Sequence, residues 1–180
     1  MRDQITTEAL VMEGTIRSGE LVAVPERDLA KLVVVERHRG TGRIGCGLVH
    51  GLGLREGALA SSVAHDSHNL IAAGIDDTDL LAALTHLVER GGGLAVASGG
   101  RVTASLPLPI AGIMSDQPLS ETGRAFRSLE EAARRLGVRV AHPFGALSFL
   151  ALPVIPKLRL TDRGLVDVER GRVIPLYVEV

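Results

Sequence analysis

Aromatic side chains are scarce in this sequence, which has no Trp, one Tyr and three Phe among its 180 residues. Its hydrophobic fraction is nevertheless 46%, so a folded domain with an aliphatic core is expected. So few aromatic rings argue against a stacking platform for single-stranded nucleic acid. A formal net charge of −1 gives no electrostatic reason to expect nucleic acid or an acidic membrane as a partner.

Cysteine is also nearly absent, because Cys46 is the only one and no internal disulfide can form. Its thiol stands between two glycines and is expected to be buried and inert. The sequence has no apolar run near the ~20 residues that a membrane-spanning helix needs, and no charged-then-apolar leader. These features predict a soluble, cytoplasmic protein.

The spacing of apolar residues predicts two main amphipathic helices. The first is capped by Asp76 or Asp77 and runs to about Arg90, after which three glycines stop it. The second starts near Pro118 or Ser120 and ends at Gly137. Strand-like stretches lie between and around these helices without a strict strand–helix–strand repeat. The predicted fold class is therefore α+β, a layered sandwich with a mixed β-sheet.

Glycine and proline residues interrupt the predicted helices and strands near both ends of the chain and in one internal segment. Residues 1–29 are predicted to be a linker-like N-terminal segment, and residues 30–180 the domain itself. The segment 41–53 carries five glycines, which are too many for a good helix interior, so a short helix or a turn that another backbone approaches closely is expected there. Residues 173–180 are apolar enough for a final strand, with Pro175 near its start at a sheet edge.

The densest group of polar side chains is Ser-Ser-Val-Ala-His-Asp-Ser-His-Asn at positions 61–69, between two apolar strand-like runs. Two imidazoles with a carboxylate between them suit a divalent metal or acid–base chemistry. His65, Asp66 and His68 are therefore candidate metal ligands, provided that the chain turns at this point. Three interpretations stay open: metal binding by this domain, lining of a site completed by another domain or chain, and a purely structural role.

A second polar group, Glu36-Arg37-His38-Arg39, follows a predicted strand and precedes a glycine-rich turn. Arginine side chains and backbone N–H groups in such a turn can bind an anion. An internal ion pair of Glu36 with a nearby arginine is the structural alternative. Taken with the first group, the candidates for lining a substrate pocket are Glu36, Arg37, His38, Ser62 and Asn69.

These polar groups belong to a series of irregular segments that together resemble the C-terminal domain of bacterial adenine deaminases, enzymes of the amidohydrolase type. The resemblance extends over nearly the whole chain and is carried by five segments: 35–42, 57–69, 106–116, 147–156 and 160–168. In that family the metal centre for deamination lies mainly in an N-terminal (β/α)₈ barrel. This sequence has neither the His-x-His pair of such barrels nor the Pro-Cys-x-x-Cys of cytidine-type deaminases.

The resemblance implies a domain accessory to the hydrolytic deamination of adenine to hypoxanthine and silent towards adenine on its own. It also implies a partner, either a separate barrel chain or further copies of this chain in a homo-oligomer. Two other functions are kept as alternatives: a stand-alone module that binds a purine or similar small ligand, and a small hydrolase. The hydrolase would use Mn, Fe or Zn bound by His65, Asp66 and His68.

Overall fold

The computed structural model describes residues 5–178, which form an α+β fold built on a six-stranded sheet. The strands are β1 (Ile16–Arg17), β2 (Glu20–Leu21), β3 (Leu29–Val35), β4 (Ile44–His50), β5 (Ala58–Ser61), β6 (Leu70–Gly74), β7 (Gly93–Ser98), β8 (Arg101–Pro107), β9 (Leu158–Thr161), β10 (Gly164–Asp167) and β11 (Arg172–Ile174). The helices are α1 (Asp77–Glu89), α2 (Leu119–Arg135) and α3 (Pro143–Phe149).

The main sheet has the order β4-β3-β6-β5-β7-β8, and every neighbouring pair in it is antiparallel. The prediction of a mixed sheet is therefore wrong, although the α+β class is confirmed. The reason lies in the connection through α1. This helix leads from β6 to β7, which are parallel to each other but separated by β5, so no parallel pair forms.

Helices cover both faces of the sheet. Alanine and leucine side chains of α1 pack on one face, against the small residues of β5, β6 and β7. The other face carries the larger core, to which α2, α3 and the three-stranded sheet β9–β10–β11 contribute. Both predicted helices are present at the expected places, and Asp76 caps α1 by accepting from the N–H of Asp79 at 2.9 Å. The short helix α3 was not among the two that the sequence predicted.

The segment 41–53 contains strand β4, so the expectation of a helix or turn there is wrong. Gly45 explains the exception. Its backbone lies so close to the three-stranded sheet that a β-carbon would overlap the carbonyl oxygen of Thr161. The glycines of β4 thus serve the packing of a second sheet, so the expected close approach of another backbone is present, although it occurs on a strand.

Cys46 is exposed, so the expectation of a buried thiol is also wrong. Alternation along β4 accounts for it, because Gly45 and Gly47 are buried and Cys46 points to the opposite side. Near the C-terminus only Arg172–Ile174 forms the expected strand, and residues 179–180 lie outside the described part of the chain. The division between 1–29 and 30–180 stays a prediction. None of the helices within residues 5–178 is long and apolar enough to cross a membrane.

Candidate functional site

The two polar groups singled out in the sequence meet at one end of the main sheet. β3 and β6 are neighbours, and Val35 at the end of β3 pairs with Leu70 at the start of β6. The loop that follows β3 (36–43) therefore lies beside the loop that precedes β6 (62–69). A third loop, residues 108–118 after β8, reaches the same place through contacts with Arg37 and Ser62. Pairing of the strands thus brings together three loops that are distant in sequence.

Arg37 joins these loops. Its Nε donates to the carbonyl oxygen of His68 at 2.5 Å, and its Nη2 donates to that of Ala111 at 2.7 Å. The guanidinium lies so close to Gly112 that a β-carbon there would come within 2.7–2.9 Å of its atoms. Partial burial lowers the pKa of Arg37 from its ordinary value, but the side chain stays a cation at neutral pH. The Arg37 side chain therefore donates hydrogen bonds to the backbone of two other loops.

Glu36 forms its hydrogen bonds within its own loop. Its buried carboxylate accepts from the backbone N–H groups of His38, Arg39 and Thr41 at 2.6, 2.7 and 3.0 Å, and from the Thr41 hydroxyl at 2.9 Å. The N–H of Thr41 is the largest cause that lowers the pKa of Glu36 to about 2. Glu36 therefore fixes the turn after β3, and no ion pair within residues 5–178 joins it to an arginine.

Replacing Glu36 by Gln should change how stability depends on pH. The folded-state pKa is depressed from 4.5 to about 2, so the carboxylate stabilises the fold above pH 4.5 and that contribution is lost as the pH falls towards 2. We expect Glu36→Gln to have a lower free energy of unfolding than the parent at neutral pH, and this difference should shrink as the pH falls from 4.5 towards 2. Urea denaturation at several pH values measures the difference. A difference that does not change with pH would contradict the role of Glu36. Glu26→Gln, at an exposed position, is the control.

The chain does turn at the histidine pair, as metal binding would require. The N–H of His68 donates to the carbonyl oxygen of Ala64 at 2.6 Å, and His68 has a positive φ of 50°. The ring centroids of His65 and His68 are then 5.6 Å apart, edge to face, and the centroid of His65 lies 5.1 Å from that of Phe149. Burial, and secondarily the charges of His65 and Arg37, lower the pKa of His68, so its imidazole is neutral at pH 7.

Asp66, the carboxylate between the two histidines, is exposed. Within residues 5–178 no group of three or more His, Cys, Asp or Glu side chains is arranged to hold a metal ion. Catalytic zinc usually has three protein ligands, so the histidine pair would need a ligand from outside this set. Nδ1 of His68 is buried and has no hydrogen-bond partner in the described chain. Ligation by His65, Asp66 and His68 stays a prediction.

The remaining candidates also contact these loops. Nε2 of His38 lies 2.7 Å from the carbonyl oxygen of Ser67. Ser62 is fully buried, donates to the carbonyl oxygen of Gly112 at 2.5 Å and accepts from the N–H of Gly93 at 2.7 Å. Asn69 accepts weakly from the N–H of Arg37 at 3.4 Å. The structure thus places all the predicted residues in one region, while their proposed contacts with a substrate stay predictions.

Sequence reasoning missed two residues that stabilise this region. Asp162, in the turn between β9 and β10, accepts from Nδ2 of Asn69 at 3.2 Å and from Nε of Arg43 at 2.7 Å. Arg43 is the second of these residues. It lies 119 positions before Asp162 in the sequence, and no local spacing could reveal a pair so far apart.

Comparison with known proteins connects this arrangement to one family. Residues 4–172 match the model of the adenine deaminase C-terminal domain. The chain is 55% identical over 174 residues to the adenine deaminase of Oleidesulfovibrio alaskensis, covering 97% of this chain and 30% of that protein. It is 51% identical to the adenine deaminase of Desulfatibacillum aliphaticivorans, with 97% and 31% covered, and 48% identical to that of Archaeoglobus fulgidus, with 94% and 31% covered.

The chain therefore spans about 30% of the length of these curated relatives. Its own match to the family model leaves out only a few residues at each end. The resemblance seen in the five sequence segments is confirmed, and the chain belongs to the adenine deaminase C-terminal domain family.

Proposed function

We propose that this chain is an accessory domain for the hydrolysis of adenine to hypoxanthine and ammonia, and that it does not deaminate adenine alone. The observation that carries the proposal is the near-complete match to proteins named adenine deaminase, of which the chain covers only about 30%. The larger part of those enzymes lies outside the region that this chain matches. The resemblance implies that this part is a barrel whose bound metal supplies the activated water.

The geometry of the three loops agrees with an accessory role. Donors and acceptors of Glu36, Arg37 and Ser62 are used within the domain, so these residues hold loops in position. Asp66 and Ser67 are exposed and His65 is half-buried, so this part of the turn is open to another chain, whereas Nδ1 of His68 and the side chain of Asn69 are buried. Side chains on a rigidly held loop are well placed to contribute to a neighbouring site. We assign the turn 65–69 to the face that meets the catalytic partner.

The partner is proposed to be a chain that carries the barrel, and association of this chain with itself is the alternative. Sixteen large hydrophobic residues of the described chain are exposed, among them Leu10, Val11, Val154 and Tyr177. Six of these residues fall in two short segments, 10–12 and 110–114, and contiguous exposed apolar side chains mark surfaces that another protein covers. Light scattering of the chain alone and with a barrel chain distinguishes the two forms of assembly.

Adenine turnover tests the function directly. We expect the chain alone, supplied with Mn, Fe or Zn, to release no ammonia from adenine. Mixing it with the remaining part of the Oleidesulfovibrio alaskensis relative, expressed separately without its own C-terminal domain, should increase turnover above that of the part alone. Turnover by the chain alone would contradict the proposal. Thermal stabilisation of the chain by adenine without turnover would favour a purine-binding module instead.

A matched pair of variants examines the turn 65–69 in that mixture. His65→Ala removes an imidazole on the proposed contact face, and we expect it to reduce the gain in turnover at least tenfold. His86→Ala, on α1 at the opposite face of the sheet, should leave the gain unchanged. Equal effects of the two variants would show that the turn does not face the partner.

A further inference from the structure

One side of helix α1 is apolar although it is exposed, whereas the exposed side of a surface helix is normally polar. Leu81, Leu84 and Val88 recur at intervals of three and four residues, so they lie along the same side of the helix. Asp77, one turn before Leu81, also lies on that side and pairs with Lys31 of β3 at 2.7 Å, so this side is turned towards β3. Leu81 and Val88 are 66% and 65% exposed. We call the three apolar residues the α1 ridge.

The part of the sheet beside this ridge is open. Helix α1 packs on β5, β6, β7 and β8, so β3 and β4 lie to one side of it. Val33 and Val35 of β3 belong to the face under α1, because they pack against the core cluster beneath that helix. Cys46 and Ile44 of β4 are their direct cross-strand partners and therefore share this face. Ile44 is 57% exposed and Cys46 is exposed as well. We call these four residues the β3–β4 strip.

The strip has the dimensions of one helix. Two neighbouring strands form a surface about 10 Å wide, and the seven residues of β4 make it about 24 Å long. The 13 residues of α1 make a helix about 20 Å long and about 10 Å in diameter. Lys31, the charged residue on the same face of β3, is already paired with Asp77. The strip therefore fits the apolar side of a helix as long as α1.

We propose that a second copy of this chain covers this face, with α1 of each copy on the β3–β4 strip of the other and the two α1 ridges side by side. A helix next to an open strip of its own size is self-complementary, so one two-fold rotation covers both surfaces of both copies. Helix and strip each measure roughly 200 Å² in projection, so the two copies together cover about 800 Å². A partner that only filled the strip would cover half of that area. Accessible area exceeds projected area, so this dimer lies near the lower end of specific interfaces and should form reversibly.

Cys46 reports on this contact, because it is the only cysteine of the sequence and lies on the strip. Sedimentation of the reduced chain from about 1 to about 200 μM should show the mass rising from 19.0 kDa towards twice that value. Over the same range the rate constant for alkylation of Cys46 by N-ethylmaleimide should fall about tenfold, because the reagent reaches only the unpaired copy. A monomer at every concentration, or a dimer in which Cys46 reacts as fast as in the monomer, would overturn the proposal.

Two leucine variants locate the interface. Leu81→Lys places a charge on the α1 ridge and should leave the chain monomeric, with Cys46 reactive at every concentration. The fold should tolerate this change, because Leu81 is exposed and a lysine there follows Asp77 by four residues. Leu119→Lys is the matched control, since Leu119 is 87% exposed but begins α2, which packs on the other face of the sheet. It should dimerise as the parent does. Equal effects of the two variants would overturn the assignment of the interface to α1.

The catalytic partner is the competing occupant of the strip. Protection of Cys46 by the remaining part of the Oleidesulfovibrio alaskensis relative, but not by further copies of this chain, would overturn the proposal. The dimer leaves the turn 65–69 free for that partner, because His65 lies beside Phe149 of α3, and α3 packs on the face opposite α1. The measurements on the chain alone involve no adenine turnover, so their outcome is independent of the proposed function.

Discussion

Gly45→Ala is expected to lower the free energy of unfolding by about 3 kcal/mol, the upper part of the range for overpacked interiors. The added β-carbon would overlap the carbonyl oxygen of Thr161 and would lie 3.0 Å from its carbonyl carbon and 3.3 Å from the backbone nitrogen of Gly164. All three atoms are backbone atoms, so no side chain can rotate away. Either β4 or the turn between β9 and β10 has to move. Urea denaturation followed by far-UV circular dichroism measures the loss.

Gly47→Ala is the matched control in the same strand. Its β-carbon would meet the Leu160 methyl groups at 3.5 and 3.7 Å, which is ordinary van der Waals contact. We expect a change within about 0.5 kcal/mol, because alanine also reduces the conformational freedom of the unfolded chain. Equal losses in the two variants would mean that glycine matters to β4 for its backbone properties and not for the approach of the second sheet.

Arg37→Met should lower the free energy of unfolding by roughly 2–3 kcal/mol, the range for hydrogen bonds that involve a charged group. Methionine retains much of the aliphatic stem but leaves the carbonyl oxygens of His68 and Ala111 without their donor. The loop after β8 should also become more open to protease, because the guanidinium lies against Gly112. Urea denaturation and limited proteolysis measure the two effects.

Arg39→Met is the control for Arg37, since Arg39 carries the same charge two positions later but is exposed. Substitution at an exposed site is expected to change stability by less than about 0.5 kcal/mol. A loss in Arg37→Met no larger than that in Arg39→Met would refute the role of Arg37 in joining the loops. It would also reopen an anion-binding role for its guanidinium.

The helices could be predicted from sequence because their signals are local. Asp76 provides a cap, the glycines after Arg90 stop α1, and apolar residues recur at helical spacing between them. Strand β4 could not be predicted in the same way. Its glycines are unfavourable for a strand by themselves and are explained only by the second sheet that packs on Gly45. That constraint comes from residues more than a hundred positions later in the chain.

The location of the candidate site was predictable, but its contacts were not. The polar groups at 36–39 and 61–69 both lie in segments that resemble the family, which favoured a shared pocket, and the structure places the two loops side by side. Arg37, however, bonds to main-chain carbonyl oxygens, and every residue type has such an oxygen. A pattern of side-chain types therefore contains no information about the partners of Arg37.

The order of strands in the main sheet also bears on how the chain folds. Three pairings, β3–β4, β5–β6 and β7–β8, join strands adjacent in sequence, whereas β3–β6 and β5–β7 join strands that are far apart. Bringing the distant strands of these two pairings together costs conformational entropy, which is offset only when the sheet is complete. The topology thus favours early local hairpins and a later, slower docking of the three, an order that pulse-labelled hydrogen exchange during refolding can resolve.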